Sequence, residues 1–390
     1  MADLMDTILD ASPETLQELH NRACLLIDAK NGFNELNRRA MLWTVRHLWP
    51  QGSCFAFNCY SHAAQLLIRQ PGQDASVLLS QEGVTQGDPL SMVLYGLALT
   101  PLAQRLRHDF PTLSQSWYAD DASVIGDVSL FPAYFDALSK LGPPRGYYPQ
   151  PPKSIVLPHP QADQAHIQAA TQDLQCQFRL GHTYLGGFLG DEALRNQWIR
   201  TKIDKWISSV SKLAKAAHKF PHAAYAALTK NKQAEWNYVQ RIVPNTAELF
   251  MPLLDEIRQA FLPAIAPNVD DRTLPPWLQH LPVRHGGLGL PNPTMGATHR
   301  TSSRDATTVL RASLLGQFPL AIEEYLEQAR RSKWITKLER DADHLKGFKE
   351  KTKNFSEDHL RKIVRARTTG KWLTLLPSTF DNTDLSAEEF

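Results

Sequence analysis

Residues 117–126 read Trp-Tyr-Ala-Asp-Asp-Ala-Ser-Val-Ile-Gly, two short β-prone segments flanking a tight polar pair, Asp120-Asp121. The pattern predicts a hairpin with both carboxylates at or near its tip. Well upstream, Cys24-Leu25-Leu26-Ile27 is an apolar run of strand length that stops at a third carboxylate, Asp28. Such continuous runs are usually strands covered on both faces. If this strand and the hairpin are neighbours in one sheet, the carboxylates converge on a small patch. There they would repel one another and raise a pKa unless cations neutralise them. Hard oxygen ligands suit Mg²⁺, which keeps its waters and shares phosphate oxygens with a substrate. Two such ions about 3.5–4 Å apart can activate an attacking hydroxyl and stabilise a leaving pyrophosphate, which is phosphoryl transfer. The plain alternative is that an Asp-Asp pair by itself is a solvated turn. A second pair stands at Asp270-Asp271, in a surface-turn context.

Working outward, residues 34–46 alternate at helical spacing, Val77-Leu78-Leu79 reads as a short strand, and 90–108 and 131–141 read as helices. The stretch Pro143–Pro160 holds seven prolines and predicts an extended loop. Tyr184-Leu185-Gly186-Gly187-Phe188-Leu189-Gly190 mixes bulky groups with glycine, as in a tight hairpin approached by another backbone.

Three strings stand in order along this half: LLIDAKNGFN from Leu25, QEGVTQGDPLSMVLYGLAL from Gln81, and WYADDASVIG from Trp117. Together they resemble motifs A, B and C of reverse transcriptases, most closely the non-LTR retrotransposon type. The likeness covers residues 21–190 and extends to LPVRHGGLGLPNP, ending near 295. It implies an α+β fold: a right-hand polymerase palm with partial fingers, followed by a helical thumb-like region. It implies Asp28 and Asp120 as principal metal ligands and catalytic residues, with Asp121 the weaker third member. The implied cofactor is a pair of Mg²⁺ ions, with Mn²⁺ an alternative. Phe33 matches the aromatic beneath the sugar of the incoming nucleotide, where its ring fills the space of a 2′-hydroxyl; a core aromatic is the competing reading. Gln86 and Gly87 match the pair contacting nucleotide and template, with Pro89 starting the next helix; a plain turn predicts the same residues. Tyr118 matches the aromatic beside the primer end. Lys153 stands roughly where motif D carries a lysine near the leaving group, but GPPRGYYPQPPK replaces the family's short turn, and a solvated loop lysine is equally compatible. Gly186 and Gly187 match the hairpin that grips the primer.

The second half has a different character. Between 195 and 241 stand ten basic residues and two acidic ones, on a chain whose net charge is only +2. Trp198, Trp206, Tyr225, Trp236 and Tyr238 are interleaved. Basic helices with aromatics suit a surface that tracks phosphate backbones, with Lys202, Lys205 and Lys212 as primer/template contacts. A solvated helical face over a tryptophan core is the alternative.

The 390 residues, 43% hydrophobic and 21% charged, exclude wholesale disorder and imply two or three domains. The expected division is a helical leader over 1–20 (start signal Ser12-Pro13-Glu14), a palm with partial fingers over 21–190, a basic thumb-like region over 191–295, and a helical extension over 296–390 leading to a missing downstream domain. The end of the chain is acidic, with a helix start at Ser386. The four cysteines form no C-x-x-C pair, argue against a disulfide scaffold and suit buried thiols in a reducing compartment. An acidic start without a signal peptide, and an apolar run at 90–106 too mixed to span a bilayer, imply an intracellular chain, cytoplasmic and/or nuclear, not secreted and without a membrane partner.

The family implies an RNA-directed DNA polymerase acting on an RNA template, a DNA primer and deoxyribonucleoside triphosphates. Only about twenty residues precede the motif-A strand, where the family carries its fingers. The chain is therefore expected to be a fragment of a longer polyprotein. Two other readings remain open: an inactive truncated remnant that only binds nucleic acid, and a maturase-like splicing factor.

Overall fold

The apolar run that ends at Asp28 becomes β1 (Arg22–Ile27), buried along almost its whole length. After it come α1 (Gly32–Glu35), α2 (Arg38–Leu48), α3 (Pro50–Tyr60), β2 (Ala64–Ile68), β3 (Ser76–Ser80) and α4 (Ser91–Asp109). Then follow β4 (Ser114–Tyr118), β5 (Asp121–Asp127), α5 (Phe131–Leu141), β6 (Ile155–Pro158), α6 (Gln164–Thr171), β7 (Gln177–Phe178), β8 (Gly181–Tyr184) and β9 (Gly187–Gly190). The computed structural model describes residues 18, 20–72, 74–267, 274–295, 304–305, 307–313, 320–378, 380–381, 383 and 385. Almost all of the leader read over 1–20, the Asp270-Asp271 turn and the helix start at Ser386 lie outside the described residues. The chain divides into two compact units, 1–191 and 192–390.

In the first unit a five-stranded mixed sheet has the order β4-β5-β1-β6-β7. β1 is antiparallel to both neighbours, and β6–β7 is the parallel pair. Period-two alternation splits the central strands between two faces. Ala23, Leu25, Ile27, Ala122, Val124 and Val156 face a core with Met41 and Val45 of α2, Leu94, Tyr95 and Ala98 of α4, and Phe131 and Tyr134 of α5. On the opposite face the β8–β9 hairpin is tied to β5 by a Tyr184 Oη–Ser123 Oγ hydrogen bond of 2.9 Å.

The proline-dense stretch is not loop throughout, because Ile155-Val156-Leu157 is buried and pairs with Leu26, Leu25 and Cys24 of β1. Pro158 is tolerated at the strand's last position, beyond the two residues that β7 pairs. The helix read over 34–46 is two pieces, since Asn37 breaks it and caps α2 by accepting from Ala40 N at 3.0 Å. The next core helix starts at Ser91, not at Pro89; Pro89 sits in a turn where Asp88 Oδ1 accepts from Leu90 N at 2.9 Å. Neither α3 nor β2, the partner of β3, was legible. Of the cysteines, Cys24 alone is buried; Cys54 and Cys59 are exposed on α3, and none of the four forms a disulfide.

The second unit is helical among the described residues. In α7 (Glu192–Ala217) the buried residues Arg195, Ile199, Ile203, Trp206, Val210, Ala214 and Ala217 recur at four- and three-residue steps, one continuous stripe. Beyond it come α8 (Pro221–Ala226), a π-helical turn at Ala227–Lys232, α9 (Gln233–Ile242), α10 (Met251–Glu256), α11 (Leu262–Ile265), α12 (Pro276–His280), α13 (Ile322–Lys351) and α14 (Glu357–Thr369). Trp206 sits between Trp236 and Phe250, with ring centroids 6.1 and 5.9 Å away, and Leu373 joins the same core. Among the described residues no helix is long and apolar enough to cross a membrane.

Candidate functional site

Across β1 and β5, Ile27 faces Ala122, so the next register position sets Asp28 beside Asp121. Antiparallel partners have Cα atoms about 4.5–5.5 Å apart, which brings these two carboxylates within mutual reach. Asp120 and Ala119 form the turn between the paired Tyr118 and Asp121. Ala119 has φ 54°, a left-handed conformation that costs an L-residue about 1–3 kcal/mol and persists only where its surroundings enforce it.

The three carboxyl groups feel one another. Burial pushes Asp121 up to about 6, with the charges of Asp120 and Asp28 adding to the effect. Asp28 is also raised, first by burial and then by Asp120, against the opposing pull of Lys153. Asp28 Oδ2 is buried without a hydrogen-bond partner, and the Lys153 ammonium stands 3.9 Å from it. Three carboxylates and an orphaned buried oxygen are the donor chemistry of a hard divalent cation such as Mg²⁺, although the carboxylate oxygens of Asp28, Asp120 and Asp121 do not all lie within 4.8 Å of one another.

The surroundings hold this arrangement. A Cβ on Gly32 would lie 2.5 Å from Asp120 Cβ and 2.7 Å from Tyr95 Oη, so only glycine lets the hairpin tip close onto α1. Tyr95 Oη has no hydrogen-bond partner among the described residues. Burial, then Asp120 and Asp121, push its phenol up. Tyr147, fully buried, donates to the Asp120 carbonyl at 3.1 Å. The stretch read as a departure from the family proves to be bonded along the exit of β1. Lys30 N donates to Tyr148 O (2.9 Å), Gln150 N to Asp28 O (2.8 Å), and Asp28 N to Ser154 Oγ (3.2 Å). These bonds deliver Lys153 to Asp28.

Phe33 is half-buried and stacks on Tyr95, ring centroids 4.7 Å apart and planes 21° off parallel. Val84 N donates to Phe33 O at 2.8 Å and Gly83 N to Leu36 O at 2.9 Å, which ties the loop carrying Gln86 and Gly87 to the Phe33 segment. Both Gln86 and Gly87 are exposed; Gly87 has φ 93° with open space where a Cβ would be. Tyr118 is 49% exposed at the end of β4. Behind the hairpin, Met92, Val93, Gly96, Trp117 and Ala119 line an open apolar depression of about 380 Å³. Leu185 (φ 45°) and Gly186 (φ 77°) form the two-residue β8–β9 turn, with Gly187 buried at the start of β9. Its geometry demands positive φ at both turn positions, which explains the glycine at 186.

In the second unit Lys205 and Lys212 are exposed on α7, seven residues apart and so on one side of it. Lys202 is half-buried, its ammonium 4.7 Å from the Trp198 ring centroid. Of the interleaved aromatics, Trp206, Tyr225 and Trp236 are core residues and only Trp198 and Tyr238 reach solvent. Arg195 is buried and paired with Glu192 at 2.6 Å. Gly32, Tyr95, Tyr147 and Ser154 were missed; of these only Gly32, four residues after a strand-end carboxylate, carried any sequence signal.

No family model matches the chain, and no curated protein matches it. Among solved structures it is similar to telomerase from Candida albicans, solved in complex with a TWJ fragment of telomeric RNA. The TM-score is 0.41 and the identity 11%, over 85% of this chain and 54% of that one. The chain thus spans about half the length of that telomerase chain, and at those values the likeness carries no weight beside the residues themselves.

Proposed function

We propose that residues 21–190 are the palm, with partial fingers, of an RNA-directed DNA polymerase that extends a primer 3′-hydroxyl on an RNA template. The observation that supports this reading is the approach of Asp28, Asp120 and Asp121 at the neighbouring ends of β1 and β5, near enough to shift one another's charge. In this reading Asp28, Asp120 and Asp121 hold two Mg²⁺ ions, which supply charge neutralisation of the phosphates and activation of the attacking hydroxyl. The chain's own residues do the positioning. Phe33, braced by Tyr95, fills the 2′ position of the incoming sugar and so favours deoxyribonucleotides. Gln86 offers an amide to that sugar, and Gly87 leaves space for a nucleotide to approach the backbone. Lys153 places a positive charge beside the carboxylates, where pyrophosphate leaves. Tyr118, with Gly186 of the β8–β9 turn and Gly187 at the start of β9, lies against the primer, and Lys202, Lys205 and Lys212 contact nucleic-acid phosphates.

One observation favours a second reading, in which the chain binds nucleic acid without turnover. Leu66, Leu67, Ile68, Val77, Leu78 and Leu79 of β2–β3 are 42–65% exposed, as in a pocket wall whose covering part is elsewhere. Primer extension on an RNA template with Mg²⁺ separates the two. Template-dependent incorporation that falls at least about a hundredfold in Asp120→Asn supports the polymerase, since removing one electrostatic stabiliser of a transition state costs that much. No incorporation by either chain, with salt-sensitive RNA binding retained, supports the binding module.

A further inference from the structure

A second constellation of ligand-type side chains lies in the unit 192–390, among residues given no role in the proposed polymerase. His285 closes the tight turn Val283–His285, in which His285 N donates to Pro282 O at 2.8 Å and Gly286 N to Val283 O at 2.9 Å. Gly286 has φ 91°, and a Cβ there would come within 2.7 Å of the Ile363 carbonyl on α14. The turn is therefore pressed against that helix and holds the imidazole in place. Facing it, α13 supplies Asp341 and His344, three residues apart and on one side of the helix.

One ligand atom from each of His285, Asp341 and His344 lies within 4.8 Å of the other two. The His285 Nε2–Asp341 Oδ1 distance is 3.7 Å, and the two imidazole centroids are 5.8 Å apart at 70°. His285 is only 8% exposed; its Nδ1 has no hydrogen-bond partner among the described residues, and its Nε2 meets the Asp341 carboxylate at 3.7 Å. A buried imidazole nitrogen left without a hydrogen bond loses its hydration with little in return, a cost that native interiors seldom carry.

We propose that His285, Asp341 and His344 form a binding site for a Zn²⁺-class transition-metal ion that ties α13 to the 283–285 turn. Two imidazoles and one carboxylate are the donor set of borderline ions such as Zn²⁺ and Co²⁺, whereas Mg²⁺ prefers all-oxygen surroundings. Three protein ligands leave a fourth tetrahedral position for water. Zinc–nitrogen and zinc–oxygen bonds of about 2.0–2.2 Å set ligand atoms roughly 3.4 Å apart, so side-chain rotations of an ångström or so complete the site. Arg284 also donates to Asp341 Oδ1. A ligating carboxylate has lone pairs for both partners and commonly carries such an outer hydrogen bond, although the guanidinium charge weakens the site's hold on a cation.

The test uses the full chain, stripped of metal and titrated with Co²⁺ alone or Zn²⁺ alone. The expected result is one Co²⁺ per chain with the visible absorption of a tetrahedral nitrogen-ligated ion, displaced by Zn²⁺, and a Zn²⁺-dependent rise in Tm. His285→Gln or His344→Gln weakens this binding at least about tenfold, the loss that removing even an outer-shell partner brings. Asp120→Asn leaves the band intact and so separates this ion from any held by Asp28, Asp120 and Asp121. If His285→Gln fails to fold, the more exposed His344 still gives the answer. An absent band in the wild type, or a band unchanged in His344→Gln, overturns the site.

Discussion

The two hairpins β4–β5 and β2–β3 are built from similarly β-prone sequence and end in opposite circumstances. In β4–β5 the strands are largely buried while the tip is acidic, and the whole is embedded in a five-stranded sheet beside β1. In β2–β3 the strands are apolar, stand alone as a two-stranded sheet, and expose Leu66, Leu67, Ile68, Val77, Leu78 and Leu79. A third strand makes the difference. Where β1 adds pairing and a covered face, charge can be held half-buried at the edge. Where no third strand is present, a hairpin is marginal by itself and needs other anchors. For β2–β3 the anchor is Arg38. Its buried guanidinium donates to Ser80 O (2.8 Å), Gly83 O (2.8 Å), Ser80 Oγ (3.0 Å) and His62 O (3.2 Å) at the hairpin's base. Both hairpins invert the usual placement, with carboxylates half-buried in one and leucines exposed in the other.

That contrast can be broken by measurement. The largest effect is expected from truncating the shared central strand. Leu25→Ala, at a fully buried site, costs about 3–5 kcal/mol in urea denaturation, whereas Leu67→Ala, 65% exposed, changes stability by about 0.5 kcal/mol or less. Comparable losses at both sites would mean that β2–β3 is covered in solution. Next comes Arg38→Met, which leaves the buried Gly83 carbonyl and the part-buried Ser80 and His62 carbonyls without this donor and costs about 2–3 kcal/mol. Limited proteolysis should then cut between Ile68 and Ser76 much faster, with β4–β5 unaffected; equal resistance would remove Arg38 as the anchor.

The smallest effect separates the hairpins by pH. Asp121 carries a carboxyl pKa raised to about 6, so the folded chain keeps a proton that the unfolded chain releases nearer pH 4. Stability therefore falls as pH rises from about 4 to 6, by roughly 1 kcal/mol once solvent screening of this partly exposed group is allowed for. In EDTA, Asp121→Asn should be more stable than the wild type by that amount at pH 7 and no more stable at pH 4. Mg²⁺ should offset the wild-type deficit at pH 7. Superimposable pH profiles for the two chains would show that burial and the neighbouring carboxylates do not hold the Asp121 carboxyl above its ordinary value.

Much of the first unit was legible because its signals are local. A continuous apolar run of strand length gave β1, a polar pair between β-prone segments gave β4–β5, and Leu185-Gly186 carried the turn chemistry of β8–β9. β6 was hidden because prolines around Ile155-Val156-Leu157 dominate any local reading, while the strand exists through its pairing with β1. In the second unit the aromatics were ambiguous for the same reason. A tryptophan on a basic helix stacks on a base or fills a core according to which face the neighbouring helices cover, and Trp206 and Trp236 went to the core.

By itself, then, the order of residues determined which carboxylates stand at strand ends, which segments can be strands or helices, and that positive charge gathers between 195 and 241. Tertiary structure decided the rest. It set Asp28 beside Asp121, seated Gly32 beneath Asp120, carried Lys153 to the site along a proline-rich strap, and gathered His285 with Asp341 and His344. The physical reason is range: propensity and turn chemistry act over a few neighbouring residues. The pKa of a carboxylate, the freedom of a glycine and the partners of a buried imidazole depend instead on groups brought close by packing from far along the chain.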